Sequence, residues 1–345
     1  MWKIGIIGAG AVTRKSHLPA YKTMEEIHVK AIADIDFEKC KRVARQFKIE
    51  RTYSDYREML EKEPLDIVVI NTPTPTHREI ALEALRTGVH VLVEKPLASS
   101  LGEAADIAYE AKRRGLKLTV VQNYRFFESV RKAYSRVSSG YLGSIVGLRG
   151  EAFSHLPIMW TRSRWHYSLK AGLLLDYAAH IIDLVAYFSD SEPVSIYAIG
   201  KDCFGNMGIY NYSSILVSFK SGMSAVITAS WVTGTSSLML ELFGTGGRIN
   251  LDVRNDHMEE IHGYYLPHRE LESNLRKSFR IFWEVLTGRY FSKVRFTYTL
   301  IIRDLIRSIV EDREPEVSVD EALTVLKIID AALRSMETGK PIEIC

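Results

Sequence analysis

Two apolar runs in the first 100 residues of this chain each end in residues that are not apolar side chains, and together the two runs leave few fold classes open. The first run, GIIGAG, ends in two closely spaced glycines, Gly8 and Gly10. The second, VHVLVEKP, ends in Glu94, Lys95 and Pro96 about 85 residues later. A lysine removed from water without a partner loses its charge or destabilises the fold, so an ammonium at the end of a buried strand indicates a functional group. Pro96 fixes φ and ends the strand, so Lys95 is expected at a defined place on the sheet edge.

The first third of the sequence alternates short apolar runs with helical segments. Strands are predicted at 4–7, 29–33, 67–70, 89–93 and 118–121. Helix starts are indicated where a hydroxyl residue precedes a glutamate by three positions, the spacing of a capping box, as in Thr76 with Glu79 and Ser100 with Glu103. Apolar strands separated by helices predict a parallel sheet covered on both faces. Residues 1–123 are therefore expected to form an α/β Rossmann dinucleotide-binding domain.

The pattern changes after about Asn123, and the chain, at 345 residues, exceeds the usual size of a single core. A helix is predicted at 128–138, followed by strands at 145–153, 194–199, 213–219, 224–231, 238–243 and 248–251. The links at 220–222 and 244–247 are short and contain glycine, which favours antiparallel hairpins. Residues 124–345 are therefore expected to form an α+β domain for substrate binding and oligomerisation, with a large open, mainly antiparallel sheet. Its last helix, at about 318–338, is expected to pack back on the first domain.

Composition narrows the class of protein further. The net charge of +3 is small, which argues against nucleic acid as the main partner. The three cysteines, Cys40, Cys203 and Cys345, are far apart and have no CxxC spacing, so neither a disulfide framework nor a zinc site is indicated. The sequence opens directly on a strand, and no apolar run is long enough to span a bilayer. We therefore expect a cytoplasmic protein without an integral membrane segment.

The glycine turn has the context of a dinucleotide fingerprint, because it follows a strand and opens a helix. Gly8 and Gly10 let the backbone approach a pyrophosphate, and the helix amino terminus supplies free N–H groups and a favourable dipole. Thr13 stands where a third glycine is usual, which leaves a chance tight turn as the alternative.

Asp34 ends the second predicted strand, where a carboxylate can accept hydrogen bonds from ribose hydroxyls. The alternative is that Asp34 caps the following helix together with Asp36. No Arg or Lys follows Asp34 until Lys39, so a 2′-phosphate would be repelled. The expected cofactor is therefore NAD rather than NADP.

A second polar signal lies in the apolar stretch LLLDYAAHIIDLVAYF, at 173–188. Asp176, His180, Asp183 and Tyr187 recur at helical spacing, so they form one polar line on an otherwise apolar helix and are expected to border a pocket. Asp176 could orient His180 as a general base, or the histidine could be a core residue satisfied by the aspartate. A metal site made of Asp176, His180 and Asp183 is a poorer interpretation because no further ligand is evident, and no metal is expected.

Taken in order, the runs GIIGAGAVTRKSHLPA, AIADID, NTPTPTHREIALEALRTGVHVLVEKPLA and AGLLLDYAAHIID resemble the family of glucose-fructose oxidoreductases and inositol dehydrogenases over most of the chain. The resemblance implies cofactor contacts at Gly8, Gly10, Ala11, Val12, Asp34, Asn71, Thr72, Pro73, His77, Glu94 and Lys95. It implies the catalytic residues Lys95, Asp176 and His180. On the substrate side it implies Tyr124, Arg125, Arg164 and Trp165, together with Asp176 and His180.

Two departures from the family pattern concern the substrate pocket. Lys170, Ala171 and Gly172 stand where a glycine pair or triplet is usual, and Tyr177 stands where a glycine often follows the aspartate. The resemblance therefore implies the reaction, oxidation of a secondary hydroxyl of a sugar, cyclitol or sugar derivative by NAD, without fixing the substrate. The alternatives are a related enzyme that cleaves glycosides through a closed redox cycle on tightly held NAD, and a non-catalytic nucleotide-binding protein.

Two further features concern partners. Residues 264–307 contain nine basic and four acidic residues, a balance of +5. This segment could bind an anionic substrate such as a sugar phosphate or nucleotide sugar, form a solvated salt-bridged helix pair, lie on a membrane surface or make a subunit contact. The strand at 215–219 has apolar residues on both faces, which predicts a homodimer or homotetramer through the antiparallel sheet.

Overall fold

Two β-sheets organise the part of the chain that the computed structural model describes, which comprises residues 1–155, 169–205, 207–262, 267–287 and 289–344. The chain divides into two units. Unit 1 consists of Met1–Asn123 and Phe291–Leu323, and unit 2 consists of Tyr124–Tyr290 and Thr324–Cys345. Unit 1 is thus assembled from two separate stretches of sequence.

The sheet of unit 1 has six strands among the described residues, in the order β3-β2-β1-β4-β5-β6. Its strands are β1 (Trp2–Ile7), β2 (Ile27–Ala33), β3 (Arg51–Tyr53), β4 (Ile67–Ile70), β5 (His90–Val93) and β6 (Leu118–Val120). All neighbours pair in parallel. Strand β4 is completely buried, as expected for a central strand covered on both faces. The order reverses between β1 and β4, which is where doubly wound sheets bind their ligands.

The helices of unit 1 before Asn123 are α1 (Leu18–Tyr21), α2 (Phe37–Phe47), α3 (Tyr56–Lys62), α4 (His77–Arg86) and α5 (Leu101–Arg114). A π-helical turn, Thr13–His17, precedes α1. Ser100 caps α5 by accepting a hydrogen bond from the Glu103 N–H. The cap predicted at Thr76 is wrong, because its hydroxyl donates to Thr72 and to the carbonyl of Pro73 instead.

The sheet of unit 2 has eight strands among the described residues, in the order β13-β12-β11-β7-β10-β9-β8-β14. They are β7 (Ile145–His155), β8 (Pro193–Lys201), β9 (Tyr212–Phe219), β10 (Ser224–Ser230), β11 (Val232–Gly244), β12 (Gly247–Asp252), β13 (His257–Ile261) and β14 (Ile342–Glu343). β7 and β10 pair in parallel, and the other neighbours are antiparallel. The predicted combination of a Rossmann domain with a mainly antiparallel sheet is confirmed.

A 3-10 turn, Asn123–Phe126, spans the sequence boundary between the two units, and α6 (Glu128–Ser138) follows it in unit 2. A π-helical turn, Leu174–Ala178, leads into α7 (Ala179–Ser189). Helix α7 packs against β7 so closely that a Cβ at Gly150 would come within 2.6 Å of the Ile181 side chain. Glycine at 150 therefore sets how near this helix lies to the sheet.

Three longer helices complete the chain: α8 (Pro267–Leu286), α9 (Arg289–Val310) and α10 (Val319–Thr338). Within unit 1, the returning stretch joins the amino-terminal one through a T-shaped contact of Tyr298 with His17 and through the Thr119 hydroxyl, which donates to the Val317 carbonyl at 2.8 Å. Among the described residues, no helix has the length and apolar character needed to cross a membrane.

Candidate active site

The two glycines of the turn after β1 meet different surroundings. Gly8 has a φ of +101°, and a Cβ there would lie 2.6 Å from the carbonyl oxygen of Asn71. A Cβ at Gly10 would meet no described atom within 4 Å. Gly8 is therefore required by the backbone itself, whereas Gly10 leaves space open at the start of the helix, as a pyrophosphate would need.

Thr13, the residue in place of the third glycine, closes the turn with its hydroxyl. Its Oγ1 donates to the Gly8 carbonyl at 2.6 Å and accepts from Asn71 Nδ2 at 3.1 Å. Asn71 Oδ1 is buried and has no hydrogen-bond partner in the part of the chain that the structure describes. A buried acceptor of this kind normally has a partner, so a bound ligand is a suitable one.

Asp34 is held by three partners at the end of β2. Its carboxylate accepts from the N–H groups of Ala9 at 2.7 Å and Asp36 at 2.8 Å. Lys39 Nζ lies 2.9 Å from Asp34 Oδ2. The cap of α2 is Asp36, which accepts from the Lys39 N–H. The expectation that Lys39 is remote from Asp34 is wrong, because the first turn of α2 brings the Lys39 ammonium back to the carboxylate.

His77 joins the segments that follow β4 and β5. Its ring nitrogens lie 2.9 Å from the carbonyl oxygens of Thr72 and Pro96. Burial lowers the pKa of His77, so at neutral pH the ring carries one N–H and can donate to one of these carbonyls. The His77 ring therefore contacts main-chain carbonyl groups, and Thr72 and Pro73 lie in the loop that precedes His77.

Glu94 and Lys95 follow β5 directly, and Lys95 is half-buried and joined to Pro96 by a cis peptide bond. Glu94 Oε1 lies 2.8 Å from His17 Nε2, and His17 Nδ1 lies 2.8 Å from the Tyr21 hydroxyl. Burial, with the nearby charge of Glu94, raises the pKa of Tyr21 well above its usual value. Sequence reasoning missed His17, although it lies within the quoted GIIGAGAVTRKSHLPA run. The buried His17 ring contacts the Glu94 carboxylate from the interior of unit 1.

In unit 2, His180 lies in an aromatic setting. Its ring makes edge-to-face contacts with Tyr124 and Tyr177, at centroid distances of 4.6 and 6.3 Å. The Tyr177 hydroxyl donates to the Ser237 carbonyl at 3.3 Å, and burial raises the pKa of Tyr177, so the phenol stays protonated. Asp176 is 5% exposed and lies in the π-helical turn before α7.

The predicted polar line is divided between two environments. Arg125 makes a bidentate ion pair with Asp183, at 2.7 and 2.9 Å, and the two side chains are 1% and 2% exposed. The Arg125 guanidinium also lies over the Tyr187 ring, 4.6 Å from its centroid. Asp183 and Tyr187 therefore engage Arg125 in the interior, while His180 meets the two tyrosines.

The family models match both halves of the chain. Residues 2–122 match an oxidoreductase family with an NAD-binding Rossmann fold, and residues 130–250 match the GFO/IDH/MocA C-terminal domain. The chain is 30% identical to the uncharacterized oxidoreductase YrbE of Bacillus subtilis over 72% of its own length and 73% of that protein. The chain belongs to the GFO/IDH/MocA oxidoreductase family. The resemblance stated from sequence is thereby confirmed, and unit 1 contains the NAD-binding domain of an oxidoreductase.

Other GFO/IDH/MocA proteins match almost the whole chain. It is 24% identical to the myo-inositol 2-dehydrogenase of Thermotoga maritima over 99% of its length and 98% of that enzyme. A solved structure of the scyllo-inositol dehydrogenase of Lactobacillus casei, with bound NAD(H) and scyllo-inositol, matches with a TM-score of 0.78 at 19% identity, covering 99% of each chain.

The residues of this GFO/IDH/MocA member fit a dinucleotide in unit 1. The open space at Gly10 suits a pyrophosphate, and the buried Asp34 carboxylate suits a ribose. The buried Asn71 acceptor suits a further polar group of the dinucleotide. In the described part of the chain, no three His, Cys, Asp or Glu side chains are grouped to hold a metal ion. Arg164 and Trp165 lie outside the described residues, so their substrate-side role stays a prediction.

Proposed function

We propose that this protein is an NAD-dependent dehydrogenase that oxidises a secondary hydroxyl of a sugar, a cyclitol or a derivative of either. The single observation that carries the proposal is that Lys95, Asp176 and His180 are all present in a chain whose family and NAD-binding domain are established. The names of relatives that act on inositols support the substrate class.

In the proposed mechanism, NAD supplies the hydride acceptor, C4 of its nicotinamide ring. His180 removes the proton from the substrate hydroxyl, and Asp176 stabilises the imidazolium that forms. Lys95 stabilises the negative charge that develops on the same oxygen, an effect typically worth several kcal/mol in a dry site. In the reverse direction these groups protonate the developing alkoxide.

The proposed cofactor-binding residues are Gly8, Gly10, Ala11, Val12, Asp34, Asn71, Thr72, Pro73, His77, Glu94 and Lys95. Preference for NAD over NADP rests on the Asp34 carboxylate, which accepts from ribose hydroxyls and repels a 2′-phosphate. On the substrate side, Tyr124 is proposed to face the ligand because it contacts His180. Arg125, the next residue, is proposed to support Tyr124 from the interior, since the Arg125 guanidinium is paired with Asp183.

The mechanism is tested by NADH formation on a panel of free sugars, inositols, sugar phosphates and nucleotide sugars, with wild type and Lys95→Met. The variant should lose about a thousandfold in turnover while NADH binding, followed by calorimetry, changes little. Lys41→Met, on the exposed side of α2, is the matched control and should behave as wild type. Unchanged turnover of Lys95→Met would contradict the mechanism. Tight NADH binding with glycoside cleavage but no net NADH would favour the closed redox cycle.

We also propose that the enzyme is a homodimer or homotetramer through the outer face of the unit 2 sheet. Tyr197, Leu216 and Val226 lie side by side in the register of β8, β9 and β10, and they are 40%, 43% and 46% exposed. A contiguous apolar patch of this kind marks an interaction surface. The compartment is proposed to be the cytoplasm, since Cys40 and Cys203 are free thiols.

A further inference from the structure

His17 is a fully buried histidine at the end of the π-helical turn that follows the two glycines. Its ring joins two side chains, because Nδ1 lies 2.8 Å from the Tyr21 hydroxyl and Nε2 lies 2.8 Å from Glu94 Oε1. Tyr298 packs edge-on against the same ring, at a centroid distance of 4.7 Å. Turns of this helical type are rare and are frequent at functional sites. The histidine thus connects the interior of unit 1 to the residue that precedes Lys95.

The Tyr21 hydroxyl determines which nitrogen of the His17 ring carries the proton. Burial and the charge of Glu94 raise the pKa of Tyr21 well above its usual value, so the phenol keeps its proton and donates a hydrogen bond to His17 Nδ1. A neutral imidazole that accepts at Nδ1 has its own proton on Nε2. The Nε2–H group then donates to the Glu94 carboxylate. The three side chains therefore form one chain of hydrogen bonds that ends at Glu94.

Glu94 is held at its main chain as well as at its side chain. Its N–H donates to the Ile70 carbonyl at 2.9 Å, which continues the pairing of β5 with β4. The Glu94 side chain is 13% exposed, whereas that of His17 is completely covered. Strand β5 ends at the edge where a doubly wound sheet binds its ligand. The partly accessible carboxylate is thus fixed at this edge before any ligand binds, which reduces the entropy lost on binding.

A second pair of a histidine and a glutamate in unit 1 provides a comparison. His28 Nε2 lies 3.6 Å from Glu50 Oε1, and the two side chains are 36% and 55% exposed. Exposed pairs of this kind are screened by solvent and contribute little. The pair of His17 and Glu94 is shorter and is covered on the histidine side, so its geometry is fixed by the surrounding interior.

We propose that His17 is a positioning residue for the cofactor, because it holds the Glu94 carboxylate in the orientation in which that carboxylate accepts a hydrogen bond from bound NAD. This inference rests on the NAD site proposed above. The His17 ring is fully buried, so it acts through Glu94 and does not itself touch the dinucleotide. Loss of His17 should therefore weaken binding only to the extent that it releases Glu94.

The test is calorimetric titration of NADH into wild type, His17→Leu, Glu94→Ala and the double variant His17→Leu/Glu94→Ala. Each single change should weaken binding by about tenfold, a typical cost of losing a hydrogen bond to a charged group. The double variant should bind no more weakly than Glu94→Ala alone, because no carboxylate is left for His17 to position. Thermal unfolding of each variant records any loss of stability separately. His28→Leu is the matched control and should bind NADH as wild type does.

Tyr21→Phe tests the same hydrogen-bond chain with the aromatic ring retained. It removes only the donor to His17 Nδ1 and should weaken NADH binding by a smaller factor, about threefold. The inference is overturned if His17→Leu binds NADH as tightly as wild type, or if the two single losses multiply in the double variant. Where His17→Leu does not fold, wild-type affinity in Tyr21→Phe overturns it. In these cases wild type still binds NADH and the proposed function stands, whereas a wild type that binds no NADH overturns both.

Discussion

At the scale of single residues, the two glycines of the first turn give a matched pair of tests. Gly10→Ala should weaken NADH binding by about tenfold or more with little change in Tm, because its methyl group enters the space proposed for the pyrophosphate. Gly8→Ala should lower stability by at least about 1 kcal/mol, because its φ is positive and Asn71 lies in the way. Thermal unfolding and calorimetric titration separate the two effects. Equal NADH affinity in wild type and Gly10→Ala would place the pyrophosphate elsewhere.

The Asp34–Lys39 ion pair gives a second prediction, on the choice of cofactor. Lys39→Gln should raise the ratio of kcat/KM for NAD over NADP, because it removes a cation 2.9 Å from the carboxylate. Asp34→Ser should lower the same ratio, since it leaves Lys39 available to a 2′-phosphate. Lys41→Gln, whose ammonium pairs with Glu38, is the control and should not change it. An unaltered ratio in the Lys39 and Asp34 variants would show that neither contacts the ribose side.

In unit 1, the sequence patterns predicted where individual polar side chains lie better than they predicted which side chains those residues contact. The place of Asp34 at the end of β2 could be predicted from the apolar run before it, whereas its contact with a ribose stays a prediction. Its pairing with Lys39 and the contact of Glu94 with His17 could not, because both depend on how a helix is oriented against the sheet. Thr13 was read as a departure from the fingerprint, and only the structure shows its hydroxyl bound to the Gly8 carbonyl.

At the scale of elements, the Arg125–Asp183 pair fastens the turn at Asn123–Phe126 to α7. Arg125→Met or Asp183→Asn should cost about 3 kcal/mol or more in the free energy of unfolding, because each leaves a buried charge without its partner. The double change Arg125→Met/Asp183→Asn should cost less than the sum of the two single changes. Urea denaturation measures all three.

The control for that pair is Lys132→Met, which breaks the exposed i,i+4 pair with Glu128 on α6 and should change stability little. If the Arg125 variant were as stable as Lys132→Met, the buried pair would not be what holds α7 in place.

Elements with an apolar signature were predicted well, and those without one were missed. The helix expected at 128–138 is α6, with the same limits, and the apolar runs became strands. The short strands β3, β13 and β14 were missed because each is partly polar and carries no apolar run. The π-helical turns at Thr13–His17 and Leu174–Ala178 have no sequence signature, yet both fall in stretches singled out as functional, where such turns are frequent.

At the scale of the whole molecule, the exposed patch on the unit 2 sheet predicts self-association. Leu216→Glu/Val226→Glu should shift the molar mass measured by light scattering to a smaller species, because these side chains are neighbours in the register of β9 and β10. The Tyr109→Glu/Val310→Glu variant, altered outside this patch, should keep the wild-type mass. A wild-type protein that is monomeric at all concentrations would contradict the proposed assembly.

The sequence pattern reveals the boundary between the two units near Asn123, but it does not reveal the later return of the chain to unit 1. The change of pattern near Asn123 is visible because apolar parallel strands give way to alternating ones. The return of Phe291–Leu323 to unit 1 lies within a run of helices, and helices carry no signal of which sheet they accompany.

The discontinuity of unit 1 has a consequence for biosynthesis. As the chain leaves the ribosome, Met1–Asn123 emerges first, but Tyr298, which packs on His17, and Val317, which receives the Thr119 hydroxyl, emerge only after Tyr124–Tyr290. Domains commonly fold in the order in which they are made. Here the nucleotide-binding unit begins to emerge first but cannot be completed until most of the other unit has been translated, so the order in which the two units start differs from the order in which they can be completed.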